Sequence, residues 1–186
     1  EGIEVVSFSL GYIHNGPGDG TGPVNDVVSR GVDAGQLWVV ASGNWAQQHW
    51  AGAFRDLDGD TIHEFSTGAR SNDHHFQAGD LITVSLRWDE PWGAACSDYD
   101  LELFGPSGAL VRASRNVQNC RQDPVEAFQV LATQTGVYSV RIIEAHADEP
   151  RDLGLMVVGT PDRGQPLSFN TQTSSLSEPA DHPGVV

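Results

Sequence analysis

Residues 81–88 read LITVSLRW, and apolar side chains recur at every second position. Ile82, Val84, Leu86 and Trp88 fall on one face of an extended chain, because successive side chains of a β-strand point to opposite sides. This period is typical of a strand that buries one face in a core. It predicts an antiparallel sheet at the centre of the chain.

Further strand-like stretches follow, and turn residues such as Gly105-Pro106-Ser107-Gly108 separate them. No helical period lies between them. Many short strands without helices predict an antiparallel β-sandwich of jelly-roll type. The stretches are YDLELF, ALVRAS, VEAFQVLA, GVYSVRII and LGLMVVG.

The first fifty residues have a different pattern. IEVVSFSL and QLWVVAS are apolar stretches, and valines recur at helical spacing between them. Pro23 suits the first turn of that helix, and Gly35 can close it. Strand, helix and strand in this order predict a right-handed crossover between two parallel strands.

These patterns divide the chain into three parts and predict a mainly β fold. Residues 1–52 form a partial α/β segment, 53–164 the inserted antiparallel sandwich, and 165–186 a return into the α/β part. The chain enters an apolar stretch at once and stops on Pro183-Gly184-Val185-Val186. We therefore expect a segment of a longer protein, without a signal peptide.

The 186 residues carry a formal net charge of −15. Nucleic-acid backbones and anionic membranes repel such a chain, so neither is expected as a partner. Abundant carboxylates suit a soluble secreted protein, and some of them can hold cations.

The two cysteines, Cys96 and Cys120, both lie in polar, loop-like surroundings. In an oxidising compartment they would pair, which adds about 3 kcal/mol of stability in the chain-entropy model. Two free thiols in a reducing compartment are the alternative.

Three motifs at the two ends of the chain resemble those of the subtilase family of serine proteases. They are Ser9-Leu10-Gly11 after the first strand, Ser42-Gly43-Asn44 after the second, and the tail SSLSEPADHPGVV. The resemblance implies that Asn44 donates to the oxyanion of acyl transfer. It also implies that the backbones of Ser9, Leu10, Gly11, Ser42 and Gly43 flank the substrate side chain. The alternative is a strand that simply ends in a turn.

The catalytic motifs of that family are absent: neither its Asp motif, nor His-Gly-Thr, nor Gly-Thr-Ser-x-Ala-x-Pro occurs. The chain alone is therefore expected to be inactive, with its triad in other parts of a secreted endopeptidase that cleaves proteins or peptides. The alternative is a secreted, non-catalytic module that binds a glycan or protein. Trp45, Trp50, Trp88 and Trp92 are then the candidate platform.

Two stretches of the insert resemble the β-sandwich of bacterial pre-peptidase C-terminal type. They are CSDYDLELFGPSGALVRAS and DPVEAFQVLATQTGVYSVRIIEA. The insert is expected to restrict access to a cleft, recognise substrate or stabilise the enzyme.

FRDLDGDTIHEF is the main candidate for a cation site. Asp56, Asp58, Asp60 and Glu64 offer oxygens at short spacing, which is typical of calcium loops. A plain hairpin is the alternative, because Asp58-Gly59 favours a tight type I′ turn. The two are compatible.

Asp98 and Asp100 flank Tyr99 and could hold a second cation on one face of a strand. A solvated acidic edge is the alternative, since charge protects a strand edge from pairing.

Overall fold

The computed structural model describes residues 2–186 and confirms a mainly β fold. Two four-stranded antiparallel sheets, in the orders β3-β10-β5-β8 and β4-β9-β6-β7, face each other, and β1 and β2 form a separate parallel pair. The elements are β1 (Val5–Phe8), α1 (Pro23–Asp33), β2 (Leu37–Val40), β3 (His49–Ala53), β4 (Asn72–Phe76), β5 (Leu81–Trp88), β6 (Asp98–Phe104), β7 (Leu110–Ser114), β8 (Val125–Leu131), β9 (Gly136–His146) and β10 (Asp152–Thr160).

The core lies between the two sheets, and the alternation in β5 explains one wall of it. Strand β5 pairs with β10 on one side and β8 on the other, so it lies inside its sheet, and its apolar face packs against residues of the opposite sheet. Burying each large apolar side chain contributes about 1.5–3 kcal/mol. The fully buried residues include Ile82, Val84, Leu86, Tyr99, Leu101, Leu103, Val140, Ile142, Leu155 and Val157.

The parallel pair forms as the sequence predicts. Val5 to Phe8 run in register with Leu37 to Val40, and α1 begins with a proline in its first turn. Gly35 follows the helix with a φ of 86°, which favours glycine. At the end of the chain Val186 donates to Trp38 O and accepts from Val40 N, both at 2.9 Å, so the tail extends this sheet.

The three-part division of the chain stays a prediction, but its first boundary, between residues 52 and 53, falls within a strand of the sandwich. Strand β3, which the sequence patterns missed, pairs with β10 from Met156↔His49 to Asp152↔Ala53. The second boundary is also crossed, because Leu167 donates to Gln47 O at 2.8 Å and is buried in the sandwich core. The sandwich thus extends on both sides of residues 53–164.

No helix within residues 2–186 is long and apolar enough to cross a membrane.

The predicted disulfide is present. Cys96 and Cys120 are bonded at a separation of 24 residues, with Cα atoms 4.2 Å apart. The bridge closes the segment that contains β6 and β7, and Cys120 N–H also donates to Ala95 O at 2.7 Å.

Replacing both cysteines, Cys96→Ser with Cys120→Ser, is expected to lower the free energy of unfolding by about 3 kcal/mol, because the unfolded chain regains the entropy of an open loop. Urea unfolding of the oxidised protein and the variant measures the difference. Dithiothreitol should destabilise only the protein that has the bridge. An unchanged unfolding midpoint in the variant would contradict this account.

Candidate functional site

The two flanking motifs follow the carboxyl ends of adjacent parallel strands. Ala41 N–H donates to Phe8 O at 3.0 Å, so the pairing of β1 with β2 continues up to the motifs. Ser9-Leu10-Gly11 then leaves β1 and Ser42-Gly43-Asn44 leaves β2 at the same edge of the sheet. Ligand sites of α/β proteins lie at this edge.

Ser177 lies between the two motif loops, and this contact was not foreseen from the sequence. A β-carbon at Gly43 would stand 3.1 Å from Ser177 Oγ, and one at Gly11 would overlap the Ser177 side chain. The Trp45 ring would lie 3.3 Å from the β-carbon at Gly11 and 3.5 Å from that at Gly43. Both backbones therefore approach Ser177 more closely than a larger residue would allow.

Ser177 is held in place by the next residue. Tyr12 N–H donates to Glu178 O at 2.9 Å and Glu178 N–H to Tyr12 O at 3.2 Å, an antiparallel bridge just after the first motif. Ser177 is 2% exposed, and its Oγ has no hydrogen-bond partner within residues 2–186.

The other motif residues face solvent. Ser9, Ser42 and Asn44 are exposed, and Leu10 is 64% exposed. The exposed side-chain amide of Asn44 can therefore reach a ligand oxygen. The structure thus brings all six predicted residues of the two motifs to one edge of the sheet, and Gly11 and Gly43 next to Ser177.

A buried ion pair joins this region to the sandwich. Arg87, on the outer face of β5, donates to Gly16 O at 2.9 Å and to Glu178 Oε1 at 3.2 Å. Burial raises the pKa of Glu178 to about 7 although Arg87 opposes the rise. Burial likewise lowers the pKa of Arg87. Desolvation therefore outweighs the attraction between the partners.

Two histidines lie near the ion pair between Arg87 and Glu178. His14 Nδ1 lies 2.8 Å from Ser85 Oγ, and His49 Nδ1 lies 3.2 Å from Thr171 O. Burial, and then Arg87, holds the pKa of His14 well below its usual value. The His14–Ser85 pair is closed in between loop and sheet, which favours a structural contact over a catalytic one. Beside it a cavity of about 440 Å³ opens, lined in part by Arg87, His49 and Thr171.

The acidic loop is built around Asp56. Its carboxylate accepts backbone N–H groups from residues 58, 59, 60 and 61, and these hydrogen bonds, led by that from Thr61, lower its pKa. The loop is therefore longer than the two-residue turn at Asp58-Gly59.

This loop fits a cation only in part. Oxygens of Asp56, Asp58 and Asp60 lie within 4.8 Å of one another. However, Arg70 bonds Asp58 and has its Nη2 3.1 Å from Asp60 Oδ2. Glu64, the fourth predicted ligand, is buried and lies outside this cluster. An ion would have to displace Arg70.

The tryptophans do not form a common platform. Trp50 and Trp88 are 8% and 3% exposed and belong to the sandwich core. Trp45 lies beside the two motif loops, and only Trp92 is partly exposed elsewhere on the sandwich.

No family model matches the sequence, and no curated protein sequence matches it. Among solved structures the fold is similar to that of the CspB protease of Clostridium perfringens, with 13% identity and a TM-score of 0.61, over 98% of this chain and 40% of that one. A pre-peptidase C-terminal domain of a Bacillus anthracis collagenase matches with 9% identity and a TM-score of 0.40, over 84% of this chain and 97% of the domain. At such identities the first likeness concerns the fold alone, and the chain spans less than half of that protease.

The contact between the first motif and Ser177 can be tested by a double-mutant cycle. Gly11→Ala is expected to destabilise the protein by about 1–3 kcal/mol, because its methyl group overlaps Ser177. In a Ser177→Gly background the same change should cost at least about 1 kcal/mol less. Chemical denaturation of the four proteins measures the coupling.

Gly154→Ala is the matched control, since its β-carbon meets the nearest atoms at an ordinary 3.7 Å. Strictly additive effects of Gly11→Ala and Ser177→Gly would show that the two residues do not touch.

Proposed function

We propose that this chain is a segment of a secreted subtilisin-like serine endopeptidase. The observation that carries the proposal is the convergence of Ser9-Leu10-Gly11 and Ser42-Gly43-Asn44 on Ser177 at the carboxyl edge of two parallel strands. The likeness of the fold to a bacterial protease supports it. The disulfide and the net charge of −15 suit an extracellular setting.

Each residue then has a defined task in acyl transfer. Attack on the scissile carbonyl builds negative charge on its oxygen, and the Asn44 amide donates a hydrogen bond to that oxyanion. The exposed backbones of the two motif loops flank the substrate side chain, and Ser177 fixes the distance between the loops. The nucleophile, the base and the aspartate come from parts of the enzyme outside this chain.

The sandwich serves the same site by holding one of its walls. Arg87 reaches from β5 to Glu178, the residue that follows Ser177. The insert therefore stabilises the cleft and limits access to it from that side. Recognition of a protein or peptide substrate by its outer surface is the additional role.

Asn44→Ala in the full-length enzyme is expected to lower kcat by about 100- to 1,000-fold with little change in KM, since losing the corresponding donor in subtilisin has an effect of this size. Hydrolysis of a chromogenic peptide measures both constants. Asn119→Ala, an exposed asparagine beside the disulfide, is the matched control.

An unchanged kcat in the Asn44 variant would contradict the oxyanion role. A full-length protein that does not react with a fluorophosphonate would overturn the serine-protease proposal itself. Retained binding of a glycan or protein by such an inert protein would favour the non-catalytic module.

We also propose that calcium binds the Asp56 loop in competition with Arg70. Arg70→Ala is expected to tighten calcium binding at this loop at least tenfold, because it frees the carboxylates of Asp58 and Asp60. Calorimetric titration measures the affinity, and Asp58→Asn in the same background should abolish the gain. Equal affinities with and without Arg70 would contradict the competition.

A further inference from the structure

Three carboxylates lie close together at an open edge of the sandwich, away from the flanking motifs. Strand β7 pairs with β6 only from Leu101 onwards, so Asp98 and Asp100 have no β7 partner at that edge. The loop after β7 passes there, and Glu126 of β8 faces it. Asp98 is 8% exposed and Glu126 is fully buried.

Two buried oxygens at this edge have no hydrogen-bond partner in the described part of the chain. They are Oδ1 of Asp98 and the amide oxygen of Gln118, which is 5% exposed. The Gln118 amide nitrogen donates to Glu126 Oε1 at 3.0 Å, and its backbone N–H donates to Asp98. Gln118 therefore bridges the two carboxylates through its N–H groups, and its amide oxygen is left buried without a partner.

Within residues 2–186, no buried cationic side chain balances the negative charge of the cluster. Arg115 pairs with Glu102 and is largely exposed, and His146, opposite Asp98 in the β6–β9 ladder, is also exposed. Burial, and then repulsion from Asp98 and Glu126, raises the pKa of Asp100 to about 6. Burying ionised carboxylates without a partner is costly.

The disulfide fixes the two segments that carry these oxygens. Asp98 lies two residues after Cys96, and Gln118 lies two residues before Cys120. Glu126 is fixed as well, since the backbone N–H and side-chain amide of Asn116 both donate to it, at 2.9 and 3.0 Å. The oxygens thus sit on a preorganised frame.

We propose that Asp98, Asp100 and Gln118 form a binding site for a calcium ion, with Glu126 supplying further negative charge. All the donors are oxygens and one is an amide carbonyl, a set that suits calcium better than zinc. Within residues 2–186 only the Asp56 loop brings three carboxylate oxygens within 4.8 Å. The calcium ion at this edge is therefore coordinated by fewer than three carboxylates, and water molecules complete its coordination shell.

The proposal is tested on the oxidised 186-residue chain in an Asp58→Asn background, which removes one carboxylate from the other candidate calcium site, the Asp56 loop. Calcium is expected to raise the melting temperature, and Asp98→Asn or Asp100→Asn should weaken its binding at least tenfold in calorimetric titration. Terbium should report the same site through luminescence sensitised by Tyr99, which lies between the two aspartates. Glu102→Gln, on the same strand, is the matched control and should bind like the parent.

Absence of any calcium or terbium effect, or an equal effect in Asp98→Asn, would overturn the proposal. Neither result would bear on the protease function.

Discussion

The ion pair between Arg87 and Glu178 connects the two halves of this molecule. Arg87 extends from the outer face of β5, lies close to Gly18 and pairs with Glu178 in the C-terminal segment. Glu178 in turn pairs with Tyr12, and that bridge sets Ser177 between Gly11 and Gly43. The geometry at the two motifs thus depends on a contact between residues 91 positions apart.

This pair is more costly to break than it is stabilising. Burial shifts the pKa of each partner against its charged form, so desolvation offsets the attraction between them. Removing one partner alone leaves the other charge buried and costs about 3–5 kcal/mol in comparable cases. Such a pair specifies where the loops lie more than it adds to overall stability.

Most of the secondary structure could be predicted because it follows local periodicity. Strand β5, the strands after it and α1 all bury one face, and their side chains repeat accordingly. Strands β3 and β4 were missed, since HWAGA and NDHHF carry polar residues and become strands through their neighbours. The disulfide could be proposed, but with free thiols as an open alternative.

The candidate site was predictable only as separate motifs. Sequence placed Asn44 and the glycines at strand ends, but nothing local indicated that Ser177 would join them. One sequence feature relates to this contact, since Ser85 and Arg87 lie on the outward face of β5. Contact with the flanking segments buries Ser85 and largely covers Arg87. The acidic loop was judged from spacing alone, and spacing does not reveal that Arg70 occupies it.

The sandwich begins and ends on neighbouring strands. His49 pairs with Met156, and Gln48 O accepts from Val157 N–H at 3.0 Å, while residues 167 and 171 return beside Gln47 and His49. Entry and exit therefore lie within a few hydrogen bonds of each other, so a unit of this shape can be joined to another fold through a single surface loop. Its removal would leave two chain ends close enough for a short loop to reconnect them.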